Sequence, residues 1–314
     1  MIVVTGGAGF IGSNIVRGLN KDGIKEILIV DNLKNSKKHL NINTLDFYDF
    51  IDKEDFINNL NSFENIELIF HEGACSNTLE TDGRYMMKNN YEYSKALLDF
   101  ALDRKIRFIY ASSASVYGLG KNGFSEDRKS EFPLNIYAFS KFLFDQYVRR
   151  VALNNNSTQV VGLRYFNVYG PNEHHKGKMA SVIYHFHNQI QDDGTIKLFE
   201  GSDKFKRDFI YIGCVVKVNL FFMNNPDISG IFNVGTGRAE SFLKVAQIMQ
   251  SLYPNVRIEF VKFPEELKGK YQTFTQANLD KLRSVGYTKE FTPVDIGIKK
   301  YVEILNSTGG VLVG

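Results

Sequence analysis

The chain is poor in several things, and each scarcity excludes a class of function. Its 314 residues include two cysteines, Cys75 and Cys214. Two thiols build neither a disulfide framework nor a four-cysteine zinc centre, and reduced thiols suit a cytoplasmic protein. Charge of one sign is also scarce: 38 Lys and Arg against 35 Asp and Glu leave a net +3. Such an excess calls for neither nucleic acid nor an anionic membrane, although it suits a small anionic ligand. No apolar run approaches the ~20 residues of a membrane helix. Met1-Ile2-Val3-Val4 leads straight into Thr5-Gly6-Gly7, unlike a signal peptide. Internal repeats, low-complexity tracts and long linkers are missing too. The expectation is a cytoplasmic protein with a small-molecule substrate.

What is present reads as a packed α/β protein. Hydrophobic residues make up 43% and charged residues 23%, enough for a sizeable core. Short apolar runs at Ile2–Val4, Glu26–Val30, Leu68–Phe70, Phe108–Tyr110 and Gln159–Leu163 predict buried parallel strands. Between them, helical periodicity covers Ile11–Leu19, Asp52–Leu60, Tyr85–Leu102 and Tyr137–Val151. This alternation predicts a Rossmann-type doubly wound parallel sheet over residues 1–170. Past Gly170 the rhythm changes. A polar loop, Pro171–Lys178, precedes a helix at Ala180–Gln191 and strands at Ile196–Phe199, Phe209–Tyr211 and Ile231–Val234. Helices are expected at 214–224 and 240–252. Residues 171–314 are therefore expected to form a smaller mixed α/β substrate-binding domain, with some crossing back of the chain.

Gly6-Gly7-Ala8-Gly9-Phe10-Ile11-Gly12 follows the first strand and opens the first helix. Missing side chains there permit a tight turn and close approach of a pyrophosphate to the helix N-terminus. Asp31 ends the second strand, where a carboxylate bonds an adenosine ribose. Asn32, Lys34, Lys37 and Lys38 follow at once, and lysines there suit a 2′-phosphate, so charge alone leaves NAD and NADP both open. Tyr137 and Lys141 stand four apart on one helix face. A phenol with a pKa near ~10 is a poor base at neutral pH, and a neighbouring ammonium favours the phenolate. Ser113, ending another strand, is placed to polarise the same substrate oxygen. Ser, Tyr and Lys around a nicotinamide make a hydride-transfer site at a carbinol.

These motifs resemble the extended short-chain dehydrogenase/reductases that modify nucleotide-activated sugars. The resemblance extends through Asn89-Asn90, Arg164–Pro171, Arg207-Asp208-Phe209 and Phe232–Gly237. His71–Ser76, Lys176–Ser181, Phe199–Ser202 and Lys268–Gln272 resemble those members that invert C6″ of an ADP-activated heptose for lipopolysaccharide inner core. The resemblance implies NADP rather than NAD. It places Gly6, Gly9, Phe10, Ile11, Gly12, Asp31, Asn32, Lys38, Lys53, Glu72, Gly73, Ala74, Cys75, Ser76, Asn89, Lys141, Val168 and Lys176 near the cofactor. It implies a sugar-nucleotide site from Asn167, Lys178, His185, Phe199, Glu200, Gly201, Ser202, Arg207 and Tyr271. Lys178 stands where the family usually has a serine. Tyr137, Lys176, Ser113 and Lys141 are the implied catalytic set, and a homopentamer the implied assembly. A UDP-galactose-type 4-epimerase is the alternative. A dehydratase needs a further acid or base beside Ser113, and Ala114-Ser115-Val116 offers no carboxylate. His174, His175, His185 and His187 cluster without an acidic partner, and no metal is expected.

Overall fold

The computed structural model describes residues 1–153, 158–265 and 272–313. Its strands are β1 (Ile2–Thr5), β2 (Ile27–Asp31), β3 (Asp49–Asp52), β4 (Leu68–His71), β5 (Arg107–Ser113), β6 (Val160–Tyr165), β7 (Asn167–Tyr169), β8 (Thr195–Phe199), β9 (Lys206–Tyr211), β10 (Gly230–Val234), β11 (Ala239–Ser241) and β12 (Arg257–Val261). Seven of them form one sheet in the order β10-β6-β5-β4-β1-β2-β3. Every neighbour in it is parallel. Parallel strands are buried on both faces, which is why they are continuously apolar. Alternate residues feed two cores. Val4, Ile29 and Phe70 face the helices Phe10–Lys21 and Ile212–Met223. Val3, Leu28 and Ile69 face Tyr93–Asp103 and Ile136–Val151.

The order reverses between β1 and β4, where an open α/β sheet places its ligand crevice. β10 lies at the sheet's edge although it follows residue 171, so the second half of the chain returns to the first. The remaining strands make a three-stranded sheet, β11-β9-β7, and a two-stranded one, β12-β8. Helices Val182–Asp193, Phe242–Leu252 and Val294–Thr308 pack there on a third core containing Ile183, Phe186, Val245, Met249, Ile298 and Leu305.

Several elements differ from expectation. β3 lacks an apolar run because it is a half-exposed edge strand, Asp49-Phe50-Ile51-Asp52. The helix after it is short, Lys53–Asn58, and Asp52 caps it by accepting from the Glu54 N–H at 2.8 Å. The helix expected over Tyr85–Leu102 begins at Gly83 and carries a π turn at Lys88–Glu92. The loop after Pro171 contains a 3-10 turn, His174–Met179. No helix among the described residues is long and apolar enough to cross a membrane.

Candidate active site

The C-terminal ends of the central strands open into a cleft of about 930 Å³. Its first wall is the glycine turn. A Cβ at Gly12 would lie 2.2 Å from the Gly6 carbonyl oxygen, so only glycine lets the helix start this close to the turn. Gly9 precedes the helix with no side-chain cap, and Gly9–Gly12 line the cleft with first-turn N–H groups. Asp31 is buried beside it. Its Oδ2 accepts from the Ala8 N–H at 3.0 Å, and its Oδ1 from the Asn32 N–H and the Lys38 ammonium, both at 2.7 Å.

The second wall follows β4. His71 is buried between Thr5 Oγ1 (2.6 Å) and Ser94 Oγ (2.7 Å). Ser94 donates its own proton to the Asn90 carbonyl, so the imidazole donates from Nε2 and accepts at Nδ1. Burial drives its pKa down to about 3, which keeps it neutral. Glu72 Oε1 accepts from the Tyr165 hydroxyl at 2.9 Å, while Oε2 is buried without a partner. Burial pushes this carboxyl up to about 7. Gly73, Ala74, Cys75 and Ser76 continue the wall. Asn90 clamps Cys75, accepting from its N–H (2.7 Å) and donating to its carbonyl (2.9 Å). The π turn adds a residue to the helix and turns Asn89 toward the cleft, where its Oδ1 accepts from Lys53 at 2.6 Å. Val168 and Asn167 close this side from β7.

Lys141 donates to the Ala111 carbonyl at 2.8 Å. Ser113 accepts from both the Ser115 N–H (3.2 Å) and the Ser115 hydroxyl (2.9 Å). Both lone-pair directions of Ser113 are thereby used, and its proton is left for the hydrogen bond it shares with Tyr137. That bond lowers the phenol's pKa, but burial acts more strongly and holds it above the usual value. This corrects the expectation that Lys141 brings Tyr137 into range: its ammonium is turned to a backbone carbonyl. Lys141 itself is lowered to about 8 by burial, with Glu72 and Asp145 opposing the shift.

Lys176 lines the cleft from the 3-10 turn, its ammonium 5.1 Å from the centre of the Phe10 ring. Burial lowers its pKa, opposed by Glu173. The turn is tied across the cleft. Asn35 donates to the His175 carbonyl at 3.0 Å, and Asn41 donates to the Ala8 (2.9 Å) and Asn172 (3.3 Å) carbonyls. Lys178 lines the cleft as well, and His185 Nε2 lies 3.4 Å from the Lys178 carbonyl. Arg207 lines the far end, 5.5 Å from the Phe242 ring centre, and donates to the Gln272 carbonyl. Its neighbour Asp208 accepts instead from the N–H groups of Thr236, Gly237 and Ala277, so the two do not pair.

Every expected catalytic and cofactor residue thus lines one cleft, as do Asn167, Lys178 and Arg207. His185, Phe199, Glu200, Gly201 and Ser202 do not line it. Phe199 ends β8 and the other three form the turn after it, beside the start of the Phe242 helix, where the Leu243 N–H bonds the Ser202 carbonyl. Tyr271, with Lys268–Lys270, lies outside the described residues. Sequence reasoning missed Ser115, Tyr85, Tyr165, His175, Phe242 and Gln272, which also line the cleft. The orphaned Glu72 oxygen, the glycine cradle and the uncapped helix start fit a nicotinamide dinucleotide, with Lys141 and Glu72 at one end and Asp31 and Lys38 at the other.

The model of the NAD dependent epimerase/dehydratase family matches residues 2–235. The chain belongs to that family. Among curated relatives of this epimerase, the ADP-L-glycero-D-manno-heptose-6-epimerase of Brachyspira hyodysenteriae is 60% identical, with all of both chains covered. Among solved structures, the Helicobacter pylori ADP-L-glycero-D-manno-heptose-6-epimerase superposes with a TM-score of 0.84. It is 30% identical, over 98% of this chain and 96% of that one. The Thermotoga maritima UDP-glucose 4-epimerase, solved with UDP-glucose, gives 0.82 at 26% identity, over 98% and 99%.

Proposed function

We propose that this epimerase interconverts ADP-D-glycero-D-manno-heptose and ADP-L-glycero-D-manno-heptose by transient oxidation at C6″. The observation that carries the reading is the 60% identity to the Brachyspira enzyme across the whole of both chains. The cofactor is NADP. The Lys38–Asp31 ion pair supports this choice, because a carboxylate whose charge is met by an ammonium repels a 2′-phosphate less. Bound in the cleft, NADP would supply the hydride-transfer chemistry at C6″.

Inversion requires the C6″ keto group to present its two faces in turn, so its oxygen occupies two places. Tyr137 moves the proton at one of them, with Ser113 donating to the same oxygen. Lys176 moves it at the other. Burial disfavours its ammonium, so it gives up a proton more readily than a lysine in water does. Lys141 stays an ammonium and holds the nicotinamide ribose, whose hydroxyls also suit the free Glu72 oxygen. Asn167, Lys178, His185, Phe199–Ser202, Arg207 and Tyr271 hold the sugar nucleotide, Arg207 by a fork suited to its pyrophosphate. Residues 1–170 form the cofactor unit and 171–314 the substrate unit, with helix Ile212–Met223 and β10 crossing back to the cofactor sheet, in a cytoplasmic homopentamer that supplies heptose to a lipopolysaccharide inner core.

The test is turnover by the purified protein. Inversion at C6″ of ADP-D-glycero-D-manno-heptose, followed by NMR, is expected with NADP present and no net redox change. Conversion of UDP-glucose instead would move the assignment to a 4-epimerase.

A further inference from the structure

Tyr137, Lys141 and Asp145 stand at intervals of four on the helix Ile136–Val151, one above another on a single face. That face meets β5 in consecutive rungs. Tyr137 shares its hydrogen bond with Ser113, and Lys141 donates to the Ala111 carbonyl. Asp145 accepts from Ser112 Oγ at 3.0 Å and from the Tyr110 hydroxyl at 2.9 Å. The reacting end of the helix and its far end are therefore registered on the same strand. Asp145 is fully buried, and behind it the Arg164 guanidinium donates twice to Oδ2, at 2.9 and 2.8 Å. Arg164 reaches on to Glu131 and to the Tyr117 hydroxyl.

We propose that Asp145 is the positioning residue of this active site: it sets the register of the Tyr137 helix on β5 and supplies the counter-charge that keeps Lys141 an ammonium. The groups facing Lys141 are few. On its own helix they are Tyr137 and Asp145. At the end of β4 they are Glu72 and His71, with Tyr165 of β6 behind Glu72. From β5 comes the Ala111 carbonyl, with Arg164 of β6 behind Asp145. His71 is neutral, and Glu72 titrates near neutral pH. Asp145 is the carboxylate one turn along the same helix face, and it acts on Lys141 together with Glu72.

The proposal rests on Lys141 working as an ammonium, as read above. Its test is the pH dependence of kcat in the holoenzyme, with KM and melting temperature measured beside it. Asp145→Asn keeps the shape and removes the charge. Lys141 then loses its proton at lower pH, and the basic limb of kcat moves down by about one pH unit. kcat at neutral pH is expected to fall roughly tenfold through the lost register, with the KM of the sugar nucleotide within about twofold. A basic limb that stays in place, with kcat falling only as the protein melts earlier, overturns the proposal, because a merely structural residue does that. Should Asp145→Asn fail to fold, the Tyr110→Phe/Ser112→Ala pair takes its place. It strips both β5 donors from the carboxylate and leaves the ion pair, so Lys141 feels more of the charge and the limb moves up. An unmoved limb there overturns the proposal too. Wild-type kcat in Lys141→Met would instead overturn the reading of Lys141 and leave the Asp145 limb shift unexplained by it.

Discussion

Two segments bring proposed proton-moving groups to the cleft, and they are held in opposite ways. Tyr137 rides on a helix pinned to β5 by buried charge, where Arg164, Asp145 and Glu131 meet with side chains at most 4% exposed. Lys176 rides on a single 3-10 turn held by separate hydrogen bonds: the buried Glu173 carboxylate accepts from the Ser181 N–H (2.5 Å) and hydroxyl (2.7 Å) to tie its two ends, and the Asn35 and Asn41 amides donate to carbonyls around it. At Gly177 this turn takes φ 54° and ψ −127°, a conformation open to glycine and strained for other residues. A buried ion network tolerates no half-measures, since losing one member leaves the others unpaired. A turn held by separate hydrogen bonds rather than by interlocked ion pairs yields by degrees. The contrast suits a reaction in which one oxygen position is fixed and the other must be reached after the sugar turns.

The sharpest way to break this contrast is to remove each proton-moving group in turn. Tyr137→Phe and Lys176→Met are each expected to slow epimerisation by ~10²-fold or more, within what acid–base catalysis supplies, while both still fold and bind NADP. Near wild-type inversion of ADP-heptose by Lys176→Met would leave Tyr137 acting alone and remove the second arm of the comparison. The strut is the next target. Asn41→Ala takes donors from two buried carbonyls, at a cost of about 1–3 kcal/mol in a urea melt. Epimerisation is expected to drop roughly tenfold while the basic limb of the pH profile stays where Lys141 sets it. If kcat survives unchanged, the turn holds Lys176 without help from across the cleft.

Lys38→Ala addresses the cofactor end of the same loop. It is expected to weaken NADP by on the order of 1 kcal/mol and NAD by less, measured by titrating both nucleotides. Equal losses would detach Lys38 from the 2′-phosphate. The smallest expected effect is at Glu72. Its folded pKa, about 7, lies above the ordinary 4.5, so folding favours the protonated acid. The stability it contributes is complete below about pH 4.5 and declines as pH rises through 7. In the cofactor-free protein, Glu72→Gln should therefore gain in melting temperature relative to the wild type between pH 5 and about 8. A difference that is flat with pH would mean that Glu72 is charged throughout.

How much of this was open to sequence reading follows the same division. The glycine turn, Asp31, Tyr137 and Lys141 announce themselves because strand, turn and helix periods set their spacing. The polar struts do not. Asn41 meets Asn172 across 131 positions and Arg164 meets Glu131 across 33, with no period linking them. The π turn was equally hidden, since Lys88–Glu92 keeps the composition of an ordinary helix. Ser115 was visible as a residue without a carboxylate, yet its hold on Ser113 depends on the 3-10 turn Ala114–Tyr117. The direction of the Tyr137 shift needed the burial of the ring, which spacing does not report.

β10 has a consequence for how the chain is made. When a ribosome has released residue 170, six of the seven central strands exist, and β6 is still an open edge. The apolar face that Val215, Val218 and Phe222 will cover is bare at that moment. Unpaired edges and uncovered parallel strands are what recruit other chains. The nascent protein must therefore synthesise a further sixty-odd residues, and with them the floor of the substrate unit, before its cofactor sheet is safe from aggregation. Over that interval the growing chain is exposed to chaperones and proteases, and its yield depends on elongation speed as well as on final stability.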